Sequence, residues 1–145
     1  MSEVDIFSAH RPLEELIDDF ELLDDWEDRY AYLIDLGKRI PGLPEELKVD
    51  AHRVQGCTSQ VWLIHQVTER DGGEVIELAA DSDAFIVRGL VAILLSAYSG
   101  KTRAEVNAID LRALFGQIGL ERNLSVSRRN GFAAMISRVQ GWARG

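Results

Sequence analysis

The chain has 145 residues, 46% of them hydrophobic, which suits a single domain over residues 1–145 that buries a core without disulfides or metals. Its net charge of −8 argues against a nucleic-acid or anionic-membrane partner, because phosphate surfaces attract positive patches. No apolar run is long enough to span a membrane, and the acidic N-terminus is unlike a signal peptide, so we expect a cytoplasmic protein.

The first part of the chain predicts two amphipathic helices. Pro12 opens a pattern of apolar side chains at helical spacing, which are Leu13, Leu16, Ile17, Phe20 and Leu23. Asp24, with Glu27 three residues later, resembles an N-cap for the second helix. "RIPGLPEE" (39–46) ends that helix, because a residue before proline is displaced from helical geometry. Residues 1–9 are expected to form a loosely ordered tail.

The middle of the chain predicts a small antiparallel sheet. "QVWLIHQVTE" (60–69) alternates apolar positions with a period of two, which is typical of a strand. "RDGGE" (70–74) is a hairpin-turn signal, and "VIELAA" (75–80) forms the return strand. "KVDAHRV" (48–54) is a weaker candidate for a third strand.

A long apolar helix follows the hairpin. "DSDAFIVRGLVAILLSAYSG" (81–100) is apolar nearly all round, so it should form the buried centre of the domain. We expect Asp83 to cap its start and Gly100 to end it. Thr102 and Glu105 form a capping box for a short helix.

The last helix completes the predicted architecture. Ser127 can cap it, and its apolar positions recur on one face at Phe132, Met135, Ile136, Val139 and Trp142. The sum of these elements is an α+β fold in which a sheet of about three strands packs against N- and C-terminal helices.

Cys57 is the only cysteine. One cysteine excludes an intramolecular disulfide, and with three histidines it supplies too few ligands for a structural zinc site or an iron–sulfur cluster, so we expect no metal. Gly56 permits a turn, and the polar residues Thr58, Ser59 and Gln60 are a poor lining for a buried hydrophobe. The sequence therefore predicts a reactive thiol in a turn.

Three chemistries suit a solitary reactive thiol, namely hydrolysis or acyl transfer, sulfur relay and peroxide reduction. The first is hydrolysis or acyl transfer, with His52 or His65 as the base, although His65 shares its strand face with apolar side chains, as a packing residue would. The second is sulfur relay, in which the thiolate of Cys57 takes sulfane sulfur from a partner's persulfide by thiol exchange. Nothing local supports peroxide reduction.

Three separate blocks resemble the SufE family of sulfur acceptor proteins, which includes the related CsdE proteins. In chain order these blocks are "RVQGCTSQVWL" (53–63), "DSDAFIVRGLVAILLSAYSGKT" (81–102) and "LSVSRRNGFAAMI" (124–136). The resemblance covers about residues 20–139. It implies a fold like that of IscU-type cluster scaffolds and makes Cys57 the persulfide-carrying residue.

The resemblance also implies the partners. SufE-type proteins stimulate a pyridoxal-phosphate cysteine desulfurase, SufS or CsdA, and pass its sulfur toward iron–sulfur cluster assembly, commonly to a SufBCD complex. The pyridoxal phosphate belongs to the desulfurase, so this chain is expected to need no cofactor and to be no independent catalyst. An alternative is an interaction module that activates a desulfurase without using Cys57.

The resemblance assigns further residues around the thiol. Gln55, Gly56 and Ser59 would support the loop, which we expect to shelter the thiol and to swing out on the partner. Asp83 and Arg128 match positions that the family keeps near the loop and the desulfurase-facing surface. The chain departs from the family pattern where it has Val126 instead of the frequent proline, and in His52 and Arg53, where asparagine is common.

Overall fold

A computed structural model describes residues 6–7, 10–55 and 59–144 of the chain. Two antiparallel strands, β1 (Val61–Arg70) and β2 (Gly73–Ser82), form a hairpin that packs against helices. The helices are α1 (Leu13–Glu21), α2 (Trp26–Arg39), α3 (Phe85–Tyr98), α4 (Arg103–Ala108), α5 (Leu111–Gln117) and α6 (Val126–Arg144). Short 3-10 helices cover Glu45–Leu47, Asp50–His52 and Glu121–Asn123. The α+β prediction is confirmed.

The hairpin turn forms where the sequence predicts it. Asp71 and Gly72 both have positive φ, 52° and 81°, which is the backbone of a turn whose twist matches that of the flanking strands. Arg70 pairs with Gly73, and the register runs on to Val61 opposite Ser82. Alternate residues of β1 therefore face opposite sides of the sheet, as expected.

The outer edge of β2 is covered by the segment after α3. Ile76 donates its amide to the carbonyl of Lys101 (2.8 Å) and accepts from the amide of Gly100 (2.7 Å). The amide of Leu78 donates to Ser99 Oγ (2.9 Å). Gly100 has φ +79°, so it ends α3 as predicted and turns the chain back along the strand.

Helix α3 is the centre of the fold. All of its side chains except those of Phe85 and Arg88 are buried, in agreement with its apolar sequence. It packs against α1, α2, α6 and β2, and these elements share one hydrophobic core. Leu43, Trp62 and Ala79 form a smaller cluster, against which Ile6 and Phe7 pack.

The third strand is the one predicted element that does not form. Residues 48–54 contain a 3-10 turn, closed by the His52 amide on the Val49 carbonyl (3.0 Å), and make one bridge to β1. The local backbone explains this, because the amide of Arg53 likewise donates to the carbonyl of Asp50 (3.1 Å) and continues the 3-10 turn. The carbonyls of Arg53 (2.7 Å) and Ala51 (3.1 Å) accept from the guanidinium of Arg138.

Two helices have their N-cap at a residue one or two positions away from the predicted one. Helix α2 is capped by Asp25, whose Oδ1 accepts from the amide of Asp28 (2.9 Å), and not by Asp24. Helix α6 is capped by Ser125, whose Oγ accepts from the amide of Arg128 (3.2 Å), and not by Ser127. In each case the residue three positions before the donating amide is the cap.

The N-terminal region is described only in part. Of the expected tail over residues 1–9, residues 1–5, 8 and 9 lie outside the described residues. Within the described part, no helix is long and apolar enough to cross a membrane.

Candidate functional site

The predicted reactive loop is closed by a backbone pair. The amide of Val54 donates to the carbonyl of Val61 (2.9 Å), so the two sides of the predicted loop are held together directly ahead of β1. Gln55 is exposed and Ser59 is half-buried at the two described flanks. Cys57 lies outside the described residues, together with Gly56 and Thr58.

Gln60 anchors the end of this loop to the start of the α3 segment. Its amide donates to Asp83 Oδ1 (3.0 Å), and its carbonyl accepts from the amide of Asp83 (3.3 Å) and from Ser82 Oγ (2.7 Å). The sequence predicts Asp83 as the N-cap of α3, and this prediction is wrong. The carboxylate of Asp83 accepts from the amide of Gln60 instead, and the helix begins after Ala84. The function of this carboxylate in the fold is to hold the loop.

A buried ion pair fixes the position of this anchor. Asp81, at the end of β2, is paired with Arg88 on α3 and accepts from the amides of Leu43 (3.0 Å) and Ser82 (2.8 Å). Lys48 Nζ lies 3.4 Å from the second carboxylate oxygen of Asp81. The carboxylate is thus compensated on both oxygens, as a buried charge requires.

The other flank of the loop is held from α6. Besides bonding to the carbonyls of Ala51 and Arg53, Arg138 lies over the ring of Trp142, at 5.6 Å from its centroid. Trp142 in turn stacks on His65 of β1, with ring centroids 4.0 Å apart. Burial, with smaller contributions from the charges of Arg103 and Arg138, lowers the pKa of His65.

A cavity of about 320 Å³ opens beside the loop and brings two predicted residues together. Ser59 and Arg128 both line it, while Val87, Leu90 and Met135 form its apolar wall. Arg128 is exposed, and within residues 10–55 and 59–144 no carboxylate lies within ion-pair distance of its guanidinium. Asp83 lines a different groove, with Gln60, Lys48 and Trp62.

Sequence reasoning missed the residues that position the loop through the backbone. Gln60 acts with its amide and carbonyl, so its side chain gives no signal in the sequence. Arg138 acts on carbonyls 85 and 87 residues earlier in the chain. Ser82 had a weak signal, because a serine just before a helix often bonds to nearby backbone groups.

His52 and His65, the two histidines nearest the loop in sequence, each contact another residue of the fold. His52 Nδ1 lies 2.8 Å from the carbonyl oxygen of Leu47, which leaves only Nε2 of this ring for other chemistry. Among the described residues no carboxylate is hydrogen-bonded to either imidazole, although a catalytic base is commonly oriented in that way. In the same part of the chain, no three His, Cys, Asp or Glu side chains come together in a way that would hold a metal.

The comparison with known proteins agrees with this combination of fold and loop. The family profile described as "SufE: Fe-S metabolism associated domain" matches residues 14–143. The chain belongs to the SufE family.

Particular relatives add detail. An uncharacterized SufE-like protein of Rhizobium etli is 48% identical over 128 residues, which are 88% of this chain and 86% of that protein. The sulfur acceptor protein CsdE of Escherichia coli K12 is 45% identical over 126 residues, covering 87% of this chain and 84% of CsdE. The solution structure of a hypothetical protein from Thermus thermophilus has a TM-score of 0.67 at 20% identity, covering 91% of this chain and 93% of that one, which shows the shared fold.

Proposed function

We propose that this protein accepts sulfur as a persulfide on Cys57 from a pyridoxal-phosphate-dependent cysteine desulfurase of the SufS or CsdA type. The observation that carries this proposal is the 45% identity to a sulfur acceptor protein over most of both chains. It is supported by the position of the chain's only cysteine in sequence between Val54 and Gln60, both of which the fold anchors by hydrogen bonds.

The proposed chemistry is an exchange between thiols and involves no net oxidation. The thiolate of Cys57 attacks the terminal sulfur of the donor's persulfide, a new sulfur–sulfur bond forms to Cys57 Sγ, and the donor's own sulfur–sulfur bond breaks to leave a thiolate. A second exchange passes the terminal sulfur to an acceptor thiol, toward iron–sulfur cluster assembly on a complex such as SufBCD. One cysteine is sufficient, and the pyridoxal phosphate stays on the desulfurase.

The residues around the loop have separate roles in this proposal. The Val54–Val61 pair and the Asp83 contact to Gln60 are fixed ends, between which Gln55, Gly56 and Ser59 allow the loop to extend toward the donor in the cytoplasm. The cavity beside Ser59 offers the resting loop apolar cover. Arg128 at that cavity supplies a positive charge that favours the persulfide anion and the desulfurase surface.

The test is intact mass spectrometry under non-reducing conditions after incubation with a cysteine desulfurase and free cysteine. We expect wild-type protein to gain the mass of one or more sulfur atoms, located on Cys57 and removed by reductant, and Cys57→Ser to gain none. Equal gain in Cys57→Ser would refute the carrier role. Equal stimulation of the desulfurase by both proteins would instead identify an interaction module.

The hydrolase alternative has its own test. His52→Ala and His65→Ala are expected to accept sulfur at the wild-type rate, because thiol exchange with a persulfide requires no base at either position. Loss of a hydrolytic turnover in either variant, with sulfur loading intact, would support the alternative.

A further inference from the structure

The charge of this chain is distributed very unevenly. Residues 1–100 contain 21 acidic and 8 basic side chains, a net charge of −13, whereas residues 101–145 contain 8 basic and 3 acidic ones, a net charge of +5. The positive part contains α4, α5 and α6, of which α4 and α6 pack against the central helix α3 and against each other. An uneven field of this kind orients a partner as it approaches.

A groove between α5 and the start of α6 lies within this positive part. It has a volume of about 360 Å³, and its lining includes Arg112, Phe115, Glu121, Val126, Arg129 and Asn130. Phe115 packs on Phe132 with ring centroids 4.7 Å apart, which gives the groove an aromatic floor. The side chain of Val126 is 61% exposed at its rim.

The two arginines of this groove lack acidic partners in the described part of the chain. Arg129 Nε is buried and makes no hydrogen bond there, which is unfavourable for a charged donor. Among the described residues, neither Arg112 nor Arg129 has a carboxylate within ion-pair distance, although Glu121 lines the same groove. The groove therefore offers two uncompensated guanidinium groups beside an apolar surface.

We propose that this groove docks an acidic segment of a protein partner, with a carboxylate on Arg112 and Arg129 and an apolar side chain against Val126 and Phe115. The identity of the partner as the cysteine desulfurase rests on the proposed function. A protein fits the groove better than a nucleic acid, because the aromatic floor suits an apolar side chain and the −13 region repels a polyanion.

The groove and the cavity beside Ser59 are both lined by residues of the start of α6. Val126 lies in sequence between Ser125 and Ser127, which line the cavity shared with Ser59. A partner that contacts both the groove and the cavity beside Ser59 would lie across the first turn of α6. Docking in the groove would hold the partner's reactive group near Cys57 through a contact outside the predicted loop.

The test measures sulfur loading by intact mass while the concentration of this protein is varied at fixed desulfurase and cysteine. We expect Arg112→Glu and Arg129→Gln each to raise the half-saturating concentration by about tenfold, with the maximal rate unchanged, because an interfacial charge pair is lost. Arg144→Glu is the matched control, since it changes an exposed arginine at the other end of α6 and should change the value less than about twofold. Thermal unfolding of each variant shows whether it is folded.

The outcomes separate the two proposals. The groove assignment alone is overturned if both groove variants are folded and load sulfur with an unchanged half-saturating concentration. It is also overturned if Arg144→Glu raises that concentration as much as the groove variants do. Failure of wild-type protein to accept sulfur overturns the proposed function and with it the partner named here. Binding of a single-stranded RNA oligonucleotide that Arg112→Glu abolishes, with loading unaffected, would reassign the groove to nucleic acid.

Discussion

Asp83 and Gln60 are joined by two hydrogen bonds that run in opposite directions, one to a carboxylate and one to a main-chain carbonyl. At the scale of single residues, this pair determines where the reactive loop ends. Asp83 itself is exposed, so its effect comes from the acceptor that it offers and not from burial.

Replacement of Asp83 by alanine removes the acceptor of the Gln60 amide. We expect that amide to exchange its hydrogen about five- to tenfold faster, the equivalent of one net hydrogen bond of about 1 kcal/mol. Asp83→Asn keeps an acceptor oxygen and serves as the control, with exchange closer to wild type. Hydrogen exchange measured by NMR decides the matter, and equal exchange rates in Asp83→Ala and wild type would contradict the anchoring role.

Replacement of Asp81 tests the buried ion pair beneath this anchor. Asp81→Ala leaves Arg88, Lys48 and the Leu43 amide without their acceptor, so the free energy of unfolding should fall by about 3 kcal/mol. The control is Asp35→Ala, which removes the exposed pair with Arg39 and should change the free energy by less than about 0.5 kcal/mol. Urea unfolding gives both values, and similar losses in the two variants would show that burial of Asp81 is unimportant.

At the scale of elements, the approach of α2 to α3 depends on two glycines. A Cβ on Gly37 would lie 2.7 Å from the amide nitrogen of Gly89, and a Cβ on Gly89 would overlap the carbonyl oxygen of Leu33. The backbones of the two helices are therefore in direct contact. This contact places the end of α2 beside Arg88, whose Nε donates to the Gly37 carbonyl (3.0 Å).

Gly89→Ala should force the two helices apart and lower the free energy of unfolding by about 1–3 kcal/mol, as overpacking does. Gly141→Ala is a matched change in α6, where nothing lies within 4 Å of the added Cβ. It should instead raise the stability by about 0.5–1 kcal/mol, because alanine is the better helix former. If both changes stabilise the protein, the close contact between α2 and α3 is not present in solution.

At the scale of the whole molecule, three groups with lowered pKa values, His10, His65 and Glu77, each make the fold less stable as the pH falls. Burial lowers the pKa of His10, against a smaller raising effect of its hydrogen bond to the Leu78 backbone, and burial also lowers that of His65. Burial raises the pKa of Glu77, but bonds from Thr68, Gln66 and Arg70 outweigh it, so the pKa is lowered overall.

The alkaline side is governed by tyrosine. Burial raises the pKa of Tyr32 to about 12, with a further contribution from its hydrogen bond to Asp19. Burial likewise raises the pKa of Tyr98 to about 12. A group with a raised pKa stabilises the fold below its unfolded value, here 10.0, and this contribution is lost as the pH rises through the folded value.

We therefore expect the urea midpoint to be flat between about pH 7 and about pH 9 and to fall on both sides. Below pH 6.5, the ordinary histidine pKa, His10 and His65 bind protons more readily in the unfolded state than in the fold, so stability falls as the pH is lowered. A second fall follows at lower pH, when Glu77 is protonated. His10→Gln should reduce the first step. A urea midpoint that increases as the pH is lowered from 7 to 5 would contradict the expected loss of stability.

Much of the fold could be predicted from the sequence because its signals are local. The apolar period of α3, the Asp71–Gly72 turn and the Thr102–Glu105 capping box each depend on residues within a few positions of one another. The capping box forms with both of its hydrogen bonds, of 2.9 and 3.1 Å. The prediction that the only cysteine lies in a polar turn ahead of a strand likewise rests on neighbouring residues.

The sequence by itself therefore determined the helices other than α5, the hairpin, the family and the choice of Cys57 as the candidate thiol. Only the tertiary structure decided that residues 48–54 are no strand, that Asp83 holds Gln60, and that Arg128 shares a cavity with Ser59. The physical reason is that the first two features depend on main-chain amides and carbonyls, which every residue carries alike, and the third on the packing of segments distant in sequence. Their partners come from side chains distant in sequence, such as Arg138, so folding has to bring them together before the pairing can be recognised.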